Sequence, residues 1–266
     1  MKNVAFFTIL VSSVVWTSGC SSGGSNGGSV SASAATYEQT ILGDNPTFYW
    51  LLNETSGSIF ADQVNGNSAT VSNVFNTSVQ MGIAGPIVND ANTAINIFSG
   101  LIFTNSYIAS PLSFSLEFWI QALPQNAGGR IVGFGNTQES VSSQHERHVY
   151  QDVNGILYFG INDGGKVTIS SPSSYADGGW HYVVATYDDP SGVLNLYVDN
   201  VQVATGFAPN YISDYNGWWR LGYDSTSGWP NSPGSLPYDG GLGQVAIYNY
   251  ALSPNQVQNH FGAGGN

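Results

Sequence analysis

Apolar and polar residues alternate with a period of two along most of this chain, and the alternation is broken by Gly, Pro, Asn and Asp. That pattern predicts short β-strands joined by tight turns. The clearest stretch runs from Gly178 to Gly206. Trp180 to Tyr187 is apolar on both alternating sets, which predicts a strand covered on both faces in the middle of a sheet. After a polar turn, Leu194, Leu196 and Val198 alternate with Asn195, Tyr197 and Asp199. Asp199-Asn200 then supplies two residues that tolerate positive φ, and Val201 to Ala204 returns antiparallel. Further strands are predicted at 47–52, 93–98, 113–123, 130–134, 148–153, 156–161, 166–170, 218–223 and 242–248, with Asn154-Gly155 as a hairpin turn. A helix is expected only at the end, where Ser253-Pro254-Asn255-Gln256 places a capping serine, a proline at the first position and a reciprocal Gln, with a stop near Gly262. The expected fold is all-β, two antiparallel sheets packed face to face with a short C-terminal helix.

Four blocks carry a family resemblance. They are Phe48-Tyr49-Trp50-Leu51-Leu52-Asn53-Glu54-Thr55-Ser56-Gly57, Phe114 to Ile120, Trp180 to Gly206, and Gly241 to Ser253 with its Val245-Ala246-Ile247-Tyr248-Asn249 centre. Together they make residues 36–264 resemble a laminin-G-like domain of the concanavalin A-like lectin/glucanase superfamily. The resemblance implies a jelly-roll sandwich, and a fold of this kind hosts lectins, adhesion modules and hydrolases alike. It also implies a structural Ca²⁺ site, but the acidic pair expected in the last block is Gly243 and Gln244 here. Asp62 and Asn67 offer an alternative oxygen-rich loop for Ca²⁺, and the same residues also suit an ordinary tight turn.

The first 35 residues read differently. Lys2 precedes an apolar run from Val4 to Trp16 that is too short for a permanent span, and Thr17-Ser18-Gly19-Cys20 follows. Residues 1–20 are therefore expected to be a signal peptide. Cys20, the sole cysteine, resembles the lipidation site of bacterial lipoproteins, although Thr17 departs from that pattern and an ordinary signal peptide is the alternative. With Ser21 next, the resemblance favours an outer-membrane lipid anchor on a secreted, cell-surface protein. Residues 21–35, rich in Gly and Ser, form a flexible tether. Beyond Lys2 the cations are Arg130, Arg147, Lys166 and Arg220 against 17 acids, a balance that excludes nucleic acid and, apart from a lipid anchor, the membrane as partners.

Candidate chemistry is aromatic rather than acidic. Residues 211–238 interleave Tyr211, Tyr215, Trp218, Trp219, Trp229 and Tyr238 with Asp214, Asn216, Asp224 and Asn231. Sugars need that mixture, rings for C–H faces and fixed polar groups for hydroxyls. Trp229, Trp218, Tyr215 and Asp224 are the candidates here, with Trp229 either a ligand contact or an anchor tucked onto the sandwich. Glu117 and Trp119 share the face opposite Phe114, Leu116, Phe118 and Ile120, a second candidate pair unless neighbouring elements cover them. Glycoside hydrolysis requires two opposed carboxylates, and no strand carries Glu and Asp at alternate positions. Gln144 to Arg147 reads as a solvated loop, and His145 and His148 fall on opposite faces if extended. The leading expectation is a non-catalytic module binding a glycan or surface protein; a hydrolase with scattered carboxylates, including Asp163, and a structural adhesive module are the alternatives.

Overall fold

The computed structural model describes residues 35–265 except 163, 209–211 and 235–236. The expected signal peptide, Cys20 and nearly all of the tether lie outside the described residues, as do Asp163 and Tyr211. In chain order the first elements are helix α1 (Tyr37–Gly43) and strands β1 (Phe48–Trp50), β2 (Ile59–Phe60), β3 (Ala69–Val71), β4 (Ser78–Ala84), β5 (Thr93–Ser99), β6 (Ile102–Thr104), β7 (Ile108–Ala109) and β8 (Phe114–Gln121). There follow β9 (Gly129–Gly135), β10 (His148–Gln151), β11 (Ile156–Asn162), β12 (Lys166–Ser174), β13 (Trp180–Asp188), β14 (Val193–Val198), β15 (Val201–Phe207), β16 (Asn216–Leu221), β17 (Gly240–Tyr248) and α2 (Pro254–Ala263).

The strands form two antiparallel sheets. One has the order β15-β14-β13-β8-β17-β5-β4, with β1 on β17; the other has β12-β11-β10-β9-β16-β6-β3-β2, with β7 on β16. β13 lies between β14 and β8, as its two apolar faces require. Asp199 and Asn200 sit at φ 49° and 64°, the left-handed pair that closes the β14–β15 hairpin. Between the sheets, Phe114, Leu116, Phe118 and Ile120 of β8 meet Val132, Phe134, Phe159, Trp219 and Leu221 in one buried core.

A second apolar layer lies outside the first sheet. Tyr37 and Ile41 of α1 and Val257 of α2 pack on Tyr49, Trp119, Tyr182, Val184 and Tyr248. α2 is capped by Ser253 and Gln256 as expected. α1 was not expected: it has the same capping box, built by Thr36 and Gln39, and its seven residues stand only because their apolar side packs on the sheet.

Candidate functional site

Strand β16 alternates sharply. Trp219 and Leu221 enter the core, while Trp218 and Arg220 emerge on the outer face of the nine-stranded sheet. Cross-strand register places Gly133 of β9 between His148 of β10 and Arg220 of β16, and the segments 136–147 and 224–231 fold back over this face. Asp224 descends from the second segment. Its Oδ2 lies 2.9 Å from Arg130 Nη1 and 3.3 Å from Arg220 Nε, and its Oδ1 accepts from the backbone N–H groups of Ser142 and Ser225 at 3.0 and 2.8 Å. Burial pushes the Asp224 carboxyl up, but the two guanidiniums and the Ser142 N–H outweigh it and hold it below the usual carboxylate range. Asp224 is therefore an internal counter-ion, not a ligand partner as the sequence suggested.

Trp229 is likewise corrected. The residue is 5% exposed, and its ring meets His148 edge-on at 4.3 Å, with Lys166 Nζ 5.3 Å from its centre. A Cβ at Gly160 would stand 2.7 Å from the indole, so only glycine leaves room for it there. Tyr150 donates to Pro230 O at 2.6 Å and Asn231 donates to Tyr158 Oη at 2.7 Å, which pins the loop around the indole. Of the stretch expected to be solvated, Gln144 is exposed and His145 half-buried, but Glu146 and Arg147 are each less than 5% exposed; the neighbouring His148 is buried as well, and burial drives its imidazole well below its ordinary pKa. Tyr215 is half-buried, its hydroxyl donating to Phe134 O at 3.3 Å and its ring 5.5 Å from the Arg147 guanidinium.

Trp218 keeps an accessible ring. It is half-buried and packs at 4.5 Å, tilted 41°, on Tyr107, which is 59% exposed in the turn before β7. Tyr107 was missed because nothing local marks it; its partner lies on a strand that follows it by more than a hundred residues. The pair is an aromatic platform with one exposed and one half-buried ring, on the face where the Asp224 carboxylate is already neutralised.

Glu117 and Trp119 do share a face, but α1 and α2 cover it. Both are at most 1% exposed. The Glu117 carboxylate accepts from Tyr182 at 2.7 Å, Tyr248 at 2.9 Å and Tyr37 at 3.3 Å, and lies 3.1 Å from His260 Nδ1. His260 Nε2 is in turn 2.8 Å from Asp44 Oδ2, and Trp119 Nε1 donates to Tyr37 Oη at 3.0 Å. Burial, then the Glu117 charge, raises the pKa of all three tyrosines, so each keeps the proton it donates. The expectation of an open acid beside a flat ring is corrected: this is a closed clamp with no route for a sugar.

The Asp62 loop does not fit a cation. Oδ1 accepts from the N–H groups of Tyr49 and Val64 at 2.8 and 3.3 Å, and Oδ2 from those of Asn65 and Asn67 at 2.9 and 3.1 Å. Four donors converge where a calcium ion would need bare oxygen. Asn67 is committed as well, its side-chain oxygen to Ser106 and its carbonyl to Trp50 Nε1. Among the described residues no cluster of three His, Cys, Asp or Glu side chains is placed to hold a metal.

The architecture and the four blocks place the chain in a class, the laminin-G-type jelly rolls. The sequence profile of this family, described as the concanavalin A-like lectin/glucanases superfamily, matches residues 96–258, well over half of the chain, and the chain belongs to it. A curated relative, the non-toxic nonhemagglutinin type E of Clostridium botulinum, is 24% identical over 139 residues, 51% of this chain and 11% of that protein. Among solved structures, the binding domain of Paraclostridial mosquitocidal protein 1 superposes with a TM-score of 0.59 at 14% identity, covering 83% of this chain and 52% of that one. The receptor-binding domain of botulinum neurotoxin type G gives 0.55 at 11%, covering 82% and 51%. A Trypanosoma rangeli sialidase in complex with sialic acid gives 0.53 at 14%, covering 80% and 32%. At these identities the likeness is one of fold, and the chain spans about half or less of each relative's length.

Proposed function

We propose that residues 36–264 are a non-catalytic binding module that recognises a glycan, or the glycosylated surface of a protein, through the Tyr107–Trp218 face. The observation that carries this reading is the packed pair of exposed Tyr107 and half-buried Trp218, on a face where Asp224 is neutralised by Arg130 and Arg220. Rings without opposed carboxylates suit binding and not bond cleavage. Glu117, a second fully buried acid, is held by three tyrosines and a histidine, which supports the same conclusion. Two of the structural neighbours are binding domains of toxins, and their presence favours recognition of an extracellular partner over catalysis. The N-terminal pattern ending at Cys20 supports export and attachment through a lipid on that thiol, with the Gly/Ser tether holding the module away from the membrane surface.

The test is retention of the purified protein on a panel of immobilised polysaccharides. Trp218→Ala and Tyr107→Ala should each weaken binding by roughly thirtyfold, the loss that accompanies about 2 kcal/mol at an aromatic hot spot. A protein that binds no polysaccharide, or that binds one equally well in both variants, removes the carbohydrate reading of this face.

A further inference from the structure

A second surface stands apart from the Tyr107–Trp218 face. On the eight-stranded sheet, Gly241 of β17 pairs with Asn96 of β5 on one side and Gln121 of β8 on the other, so the three lie in one row. Phe98, two residues past Asn96, shares its face and is 46% exposed. The two helices cover this sheet around Glu117 and stop short of the row, where the Trp180 indole lies over Gly241 and leaves Asn96 and Gln121 only part-buried on either side. Where the row meets the loop after β8 and the residue before β17, two hollows of about 320 and about 250 Å³ adjoin, with Phe98, Asn126 and Asp239 common to both.

The walls are set in advance. Gln121 Nε2 donates to Gly178 O at 2.9 Å, and the Asn126 amide and the Asp239 carboxylate line the hollow together. Leu123 adds an exposed apolar flank. One flat ring, three amides and one carboxylate around a hollow of this size match the alternating C–H faces and hydroxyls of a pyranose.

The distribution of cations then narrows the ligand. Arg130, Arg147 and Arg220 have fully buried side chains. Lys166 donates to Ser227 O and lies against Trp229, which sits on the other sheet. The imidazole of His181, beyond Gly178, is already paired with Asp177 and Asp199 at 3.1 and 2.7 Å. Among the described residues no lysine or arginine lines the groove, whereas Asp239 does. A carboxylate or sulfate on the ligand would meet that acid with no cation to offset it.

We propose that the groove formed by Asn96, Phe98, Gln121, Leu123, Asn126 and Asp239 is a second saccharide site, selective for uncharged sugar units over uronate, sialylated or sulfated ones. It does not depend on the Tyr107–Trp218 face. Calorimetric titration of the full chain with neutral gluco-, galacto- and manno-hexaoses and with a galacturonate hexaose tests it, using Trp218→Ala protein so that the groove alone is read. A neutral hexaose should still bind, and adding Phe98→Ala should weaken it roughly thirtyfold. Galacturonate should bind at least about tenfold more weakly than the best neutral sugar, and Asp239→Asn should narrow that gap. Binding by the wild type that vanishes in Trp218→Ala overturns the groove and leaves the first face standing. Binding that survives Trp218→Ala and vanishes when Phe98→Ala is added supports the groove, whether or not the first face also binds. Galacturonate bound as tightly as any neutral sugar overturns the selectivity, and a wild type that binds no sugar overturns both sites.

Discussion

Replacing His260 with alanine should loosen both ends of the chain at once. Its imidazole is, among the described residues, the only cationic partner within reach of the buried Glu117 carboxylate, and its other nitrogen reaches Asp44 at the end of α1, so one side chain on α2 ties α1 and β8 together. The two contacts differ in worth. The Glu117 and His260 side chains are both fully buried, whereas Asp44 is 32% exposed and its pairing is screened by water. Removing one partner of a buried pair costs about 3–5 kcal/mol because the other charge is left in low dielectric. The tyrosine hydroxyls that remain on Glu117 reduce that cost without cancelling it. For a domain of this size the change corresponds to a drop in Tm of roughly 6–20 °C.

The contribution also has a defined pH dependence. Burial pushes the His260 imidazole down, but the Glu117 charge, its hydrogen bond and Asp44 outweigh burial and hold it above its ordinary value of 6.5. A proton held more tightly in the folded state stabilises fully below about pH 6.5 and is lost as pH rises through the folded value. His181 acts in the same direction between Asp177 and Asp199, while the half-buried His145 and the buried His148, both driven down by desolvation, act in the opposite one. The wild-type curve is therefore composite, and only the difference between wild type and His260→Ala isolates the clamp. Urea unfolding of both proteins at intervals between about pH 5 and about pH 9 should show the gap shrinking as pH rises, with amide exchange in α1 and α2 accelerated first. A gap below about 1 kcal/mol, or one that stays flat or widens toward alkaline pH, would refute the clamp.

Two further substitutions separate anchors from ligand contacts. Asp224→Asn leaves Arg130 and Arg220 buried without their counter-ion and should cost about 3–5 kcal/mol in chemical denaturation. Because the folded Asp224 pKa is depressed, its contribution in the wild type is present above about pH 4 and disappears as pH falls through the folded value, so the gap between the two proteins should close in acid. Trp229→Ala should lower stability by about 3–5 kcal/mol, as emptying a buried indole site does, and should leave polysaccharide retention of the folded protein unchanged. Retention lost at full stability would return Trp229 to the ligand.

What could be read from the sequence follows the distance over which each feature is decided. The β13–β15 meander was legible because alternation, the Asp199-Asn200 turn and the return strand are neighbours in the chain. The α2 cap was legible for the same reason, and Thr36 with Gln39 spelled the same box for α1, which went unread in so short a segment. β2 and β7 are two residues long and exist only by pairing, β2 with the nearby β3 and β7 with β16, more than a hundred residues on. Alternation placed Glu117 and Trp119 on the correct face; what covers that face comes from Tyr37 and His260, 80 residues before Glu117 and 143 after it. The three arginines are scattered in sequence, yet β9, β10 and β16 are adjacent in the sheet, so Arg130 and Arg220 converge on Asp224 while Arg147 is buried nearby. One signal for that cover was present. Gly133 and Gly135 on β9 and Gly160 on β11 occupy outward positions, where an added Cβ would strike Arg130, Asp224 and Trp229 within 3 Å. Glycines at outward positions of otherwise well-formed strands therefore report a lid, and a sequence showing them argues against assigning the nearest aromatic loop to a ligand. Asn96 and Phe98 have the opposite signature, a polar residue and a ring facing outward on β5 beside the open edge of a helix-covered sheet, and that is the combination that leaves a surface free to bind.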